Sequence, residues 1–160
     1  MNEATSSVKD ATSSLGPKEL AHGALRGAIA AMAMTGMREF TQSAGIVDQT
    51  PPQAIAKQRA QGLMGKVPRK RRRAALEGVH WSYGAVGGLG FASLPDAVRR
   101  RAWAGPVYGL VVWLGFELGI AQLLGLQQAY RGRPVERAAL AVDHLLYGFL
   151  LSETRRRPQE

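Results

Sequence analysis

The sequence predicts an all-α fold: an integral membrane four-helix bundle, up-down-up-down, with a long basic loop between its first and second helices. Three observations predict it. The stretch Ala104–Leu126 runs for 23 residues with Glu117 as its only charge. At about 1.5 Å of rise per residue it meets the ~20 apolar residues that a bilayer core requires. Charge elsewhere is clumped, so 160 residues that are 46% hydrophobic, with a mean hydropathy of only −0.13, still leave long apolar windows between the clumps. Small residues recur within those windows, with Gly105 four before Gly109 and Gly115 four before Gly119. Such spacing lets helix backbones approach closely in a membrane. A soluble core helix would lose roughly 1 kcal/mol per glycine against alanine.

Residues 1–18 are rich in Ser, Thr, Ala, Lys and acids with no apolar period, and read as a flexible tail. Their nearly balanced charge, and Arg26 inside the first apolar run, argue against a secretory signal. The domain proper is 19–153. Its first span covers about 20–40, with Gly27, Ala31 and Thr35 four apart and Arg38-Glu39 closing it. A polar connection follows to Leu76. Thr50-Pro51-Pro52 breaks the chain, and 52–65 accommodates a short helix with Ile55, Leu63 and Met64 as a sparse apolar face, either on the membrane surface or as a plain loop helix.

Pro68 and the run Arg69, Lys70, Arg71, Arg72, Arg73 lead into the second span, the uncharged stretch 78–95. His80, Gly84 and Gly87 share one helical face there, and Trp81 and Tyr83 sit near the entry, where amphipathic rings favour the interface. The third span is 104–126, after a tight connection at Pro95–Trp103. Gln127–Pro134 is a polar turn, 135–152 the fourth span with Asp143 and His144 inside it, and 154–160 a charged tail.

The net charge of +9 is concentrated in three arginine-rich clusters beside apolar runs. Clusters so placed favour anionic lipid head groups, with nucleic acid as the lesser alternative. Counting basic residues in the connections favours a cytoplasmic long loop and external termini for a multi-pass protein. Other membrane subunits, or a second copy of the chain, are the further partners this architecture suggests. With no cysteine, disulfides, thiolate metal sites and cysteine nucleophiles are excluded.

Ionisable groups inside a span are costly and therefore candidate functional groups. Depth along the helices brings Glu117, Asp143 and His144 within about one turn of each other. Arg26 enters from the opposite face, and its long side chain closes most of the gap, giving an expected Arg26–Glu117 or Arg26–Asp143 pair. The predicted buried polar cluster is thus Arg26, Glu117, Asp143 and His144. Such a pair serves more often as packing glue than as a proton or substrate relay. His80 and His144, brought to one side by parallel helices, are the alternative site, as haem or metal ligands. Histidines satisfied at helix interfaces are the commoner case. No G-x-S-x-G, P-loop or H-E-x-x-H motif occurs, so neither an enzyme nor a particular cofactor is indicated. Gly84-Ala-Val-Gly87-Gly88 lacks the βαβ context of a dinucleotide site.

The chain resembles the YagU-like family of small bacterial inner-membrane proteins, a domain of unknown function. The resemblance rests on a small-residue first helix ending in Arg38-Glu39, a Pro51-Pro52 loop and His80-Trp81-Ser82-Tyr83-Gly84. Gly105, Gly109 and Trp113 continue it, and Glu136 followed by His144-Leu145-Leu146-Tyr147-Gly148 completes it. It covers roughly residues 22–150 and implies an integral membrane protein, with an accessory, assembly or transport-related role as the accompanying reading.

Overall fold

Helices account for the regular structure throughout the computed structural model, which describes residues 16–47, 51–126 and 133–153. Among the described residues there is no strand. Most of the two expected tails, and residues 127–132 of the expected polar turn, lie outside that set. Four helices are long: α1 (Pro17–Ser43), α4 (Arg72–Ala92), α6 (Ala104–Leu123) and α7 (Pro134–Glu153). Between α1 and α4 lie α2 (Pro51–Gln58), α3 (Gln61–Lys66) and a 3₁₀ turn at Arg69–Arg71; α5 (Asp96–Arg99) joins α4 to α6.

The boundaries follow local chemistry. Proline opens α1 and α7, where its missing N–H costs nothing. The Glu136 carboxylate accepts the Arg133 backbone N–H at 3.1 Å, a cap on the first turn of α7. Helices α1 and α6 both stop at a left-handed glycine, Gly45 (φ 68°) and Gly125 (φ 57°). In each, a later backbone N–H turns back to the last turn: Ile46 to the Thr41 carbonyl at 2.9 Å, Leu126 to that of Ala121 at 3.0 Å.

The helices outrun the expected spans. Helix α1 continues past Arg38-Glu39 to Ser43, and α4 begins at Arg72 rather than Gly78. Charged residues mark where an apolar window ends, but Arg, Lys and Glu are good helix formers, so the backbone passes through them.

Helices α1 and α4 pack antiparallel along glycine. Gly23 lies against Gly88 and Ala92, Gly27 against Gly84 and Gly88, and Ala31 against Gly84, so closely that a Cβ on any of these glycines would strike the neighbouring helix. Helices α6 and α7 pair likewise, Gly105 against Gly148 and Ser152, and Gly109 against His144 and Gly148. The two pairs meet mainly through α1 and α7. A core of Ala30, Ala31, Met34, Phe91, Ala104, Tyr147 and Leu151 fills the space between them. Tyr147 and Tyr108 donate to the Gly84 and Gly87 carbonyls, each at 2.7 Å. Helix α4 is thus lined with glycine toward all three of its long neighbours, which is the use made of its Gly84–Gly90 stretch.

Gly115 and Gly119, expected to extend the α6 seam, face open space. A π-turn over Gly115–Ile120 shifts the helical period there. It carries Phe116 and Glu117 inward and leaves Leu118 and Ile120 outside. Phe116 of the π-turn joins Ala121 and Leu126 beyond it in a second apolar cluster, onto which α2 lays Ile55. Arg59 donates to the Leu124 carbonyl and, at 3.4 Å, to that of Gly125, capping the end of α6. The connection, expected to hold one short helix over 52–65 either on the membrane surface or as a plain loop helix, holds two, α2 and α3, and α2 packs onto the end of α6.

One helix among the described residues, Ala104–Leu123, is long and apolar enough to cross a membrane, with a mean hydropathy of 1.4 and a third of that window buried.

Candidate functional site

Arg38 is the centre of the polar interior. It lies on the α1 face that carries Gly27, Ala31 and Met34 and is only 5% exposed. Its guanidinium stands 3.6 Å from Glu77 of α4 and 3.8 Å from Asp143 of α7, so one cation ties three long helices together. Thr35, one turn earlier, accepts from Arg38 Nη2 at 3.1 Å and from Trp81 Nε1 at 3.3 Å, and donates to Glu77 at 2.8 Å. The Glu77 end of the pair is therefore well bonded. The Asp143 end is not. Asp143 is 2% exposed, and among the described residues neither carboxylate oxygen has a hydrogen-bond partner. Arg38 Nε, at ion-pair distance from Asp143, and His80 Nε2 are likewise buried without a hydrogen bond among the described residues.

These open groups border a cavity of about 160 Å³ between α1, α4, the π-turn of α6 and α7, with Ile55 of α2 at its edge. Arg38, His80, Asp143 and His144 form its polar wall; the remainder is apolar. His144 Nδ1 lies 2.8 Å from the Leu140 carbonyl. A carbonyl only accepts, so Nδ1 carries the proton, and in the neutral ring Nε2 keeps its lone pair.

The residues expected to meet do so only in part. Asp143, His144 and His80 line this one cavity, but Arg26 does not join them. It lies three turns back along α1, facing a separate polar hollow with Glu19, Asp96 and Arg99. Arg38, expected to close the first span, points inward instead and takes the place expected of Arg26. Glu117 pairs with Arg137 of α7 at 3.3 Å, not with Arg26. Read from the sequence alone, Arg38 and Glu77 stand where apolar windows end, as span boundaries do. The signal for Arg38 was present, since it continues the 27–31–34 stripe by one more step.

Of the basic run, Arg69, Lys70, Arg71 and Arg73 are exposed, while Arg72 folds against the Val67 carbonyl at 3.1 Å. Arg73 pairs with Glu39 across to α1.

No family model, curated protein or solved structure matches the chain. The site therefore has to be read from its own geometry. A bis-histidine haem does not fit: about 160 Å³ suits a few waters or a single ring, not a macrocycle. Among the described residues, no three His, Asp or Glu side chains converge as a metal site. The chemistry the cluster offers is that of a buried carboxylate with free lone pairs beside a fixed arginine and two imidazoles: it can take a proton or a hydrogen-bond donor.

Proposed function

We propose that the chain is a small multi-pass protein of a bacterial inner membrane, an up-down-up-down bundle of α1, α4, α6 and α7. Its role is that of an accessory, assembly or transport-related component. Proton or ion handling runs through Asp143 and the imidazoles beside it, with Arg38 and Glu77 as the fixed frame. The resemblance to the YagU-like family belongs to the same reading: Arg38, His80, Tyr83 and His144, four residues that carry it, come to one cavity.

One observation carries the membrane assignment. Each long helix buries a seam of small residues and leaves several large apolar residues on its outer face, and the buried polar groups Arg38, Glu117, Asp143 and His144 point inward. Leu25, Ile29, Met32 and Phe40 are exposed on α1, and Val79, Tyr83 and Val86 on α4. Val107, Val111, Leu114 and Leu118 are exposed on α6, as are Val135, Val142 and Phe149 on α7. A water-soluble bundle is built the other way round, and exposed apolar area on this scale calls for lipid or a partner to cover it. The exposed basic run at one end then faces anionic head groups.

Fractionation of expressing cells tests the assignment. The protein should stay in the membrane pellet through high salt and alkaline carbonate and leave it only with detergent. Release by salt would favour a soluble basic protein bound to nucleic acid.

A further inference from the structure

The cavity beside Asp143 has a mouth, and its position limits what can enter. Three lining residues, Val79, Tyr83 and Ile120, also lie on the outer surface, at 67%, 39% and 38% exposure. The opening is therefore between α4 and α6. These two helices touch toward their other ends, where Tyr108 bonds Gly87 and its ring meets Phe91 edge-on at 5.3 Å, whereas at the level of the π-turn the cavity lies between them. The mouth lies among the same outward apolar side chains that the membrane reading assigns to lipid, so a ligand would arrive sideways from the bilayer.

Inside, Phe116 and Tyr83 supply aromatic walls, and the lining also includes Asp143, 2% exposed, whose two oxygens accept no hydrogen bond although one lies 3.8 Å from Arg38, and His80, whose Nε2 has no hydrogen-bond partner among the described residues. A volume near 160 Å³ is that of one six-membered ring, since an engineered cavity of about 150 Å³ takes benzene. Buried polar atoms left without partners cost free energy that a donor from a ligand recovers. We infer that the cavity is a lateral, lipid-accessible site for a phenolic head group on an alkyl tail, its hydroxyl donating to Asp143 and its tail lying out between α4 and α6. This rests on the membrane reading.

The probe is 4-hexylphenol, compared with 4-hexylanisole, which has the same ring and tail but no hydroxyl donor. Titration calorimetry on full-length protein in detergent should show the phenol binding at least tenfold tighter, the worth of one good charge-assisted hydrogen bond. Asp143→Asn, which keeps an acceptor but loses the charge, should shrink the preference, and Asp143→Ala, which has no acceptor, should abolish it; a preference kept in full by Asp143→Ala would overturn the site. Should those variants fail to fold, Ile120→Trp, which plugs the mouth from a half-exposed position, should remove binding of both compounds. Equal affinities for the two compounds, no binding of either, or phenol binding untouched by Ile120→Trp would each overturn the site. Those results are distinct from release of the protein by alkali, which would overturn the membrane reading instead.

Discussion

Helix α6 holds two glycine pairs of identical spacing that do opposite things. Gly105 and Gly109 lie against the backbone of α7 with no room for a Cβ, while Gly115 and Gly119 have nothing within 4 Å. The π-turn begins at Gly115 and separates them. Before it, the inward face is glycine and the helix pair is sealed. Within it, the inward residues are Phe116 and Glu117, and Phe116 and Ile120 line the cavity. A glycine pair four residues apart permits close packing, but the helical phase decides whether that face meets a neighbour.

The contrast between a sealed half and an open, polar half can be broken by substitution. The largest effect is expected at the boundary cluster. Asp143→Leu leaves Arg38 with only Glu77, and Arg38→Leu leaves the buried Asp143 and the half-buried Glu77 without the cation between them. Each should cost roughly 3–5 kcal/mol, and the double variant less than the sum, as read by thermal melts in detergent. Strict additivity would mean that the 3.8 Å pair contributes nothing. Gly109→Leu comes next. Its side chain would strike the His144 carbonyl, and a loss of about 3 kcal/mol is expected from forcing α6 off α7.

Glu117→Gln should cost less, about 1 kcal/mol at most, because the Arg137 side chain opposite is 43% exposed and can turn to water. Smallest of all are Gly115→Leu and Gly119→Leu, for which the melting profile should barely move. A large loss at either would place a neighbour on that face and remove the distinction between the two halves.

Much of the helical framework is legible in the sequence, because apolar windows, Pro17 and Pro134 at helix starts and Gly45 and Gly125 at helix stops are local signals. The α1–α4 seam was half legible. Gly27 with Ala31, and Gly84 with His80, were readable as faces, but nothing local says that those two faces meet. The cluster was harder. Arg38 and Glu77 look like span ends when each helix is read alone, and only the antiparallel register of α1 on α4 sets them opposite one another. The π-turn left no mark that periodicity could detect, so Gly115 and Gly119 were counted with Gly105 and Gly109. The packing of α2 onto the end of α6 joins residues some sixty positions apart, through Arg59 and the Leu124 carbonyl, beyond the reach of any local pattern.

The central claim is that all four long helices show their large side chains to lipid. The chain has no cysteine, so single cysteines can be placed at Leu25, Val86, Val111 and Val142, one outward position on each helix, and nitroxide-labelled without further engineering. In reconstituted vesicles, collision with molecular oxygen, which concentrates in the bilayer, should exceed collision with a water-soluble nickel chelate at every one of the four sites. A site where the nickel chelate dominates would put that helix in water, and three such sites would leave α6 as the only helix in the membrane.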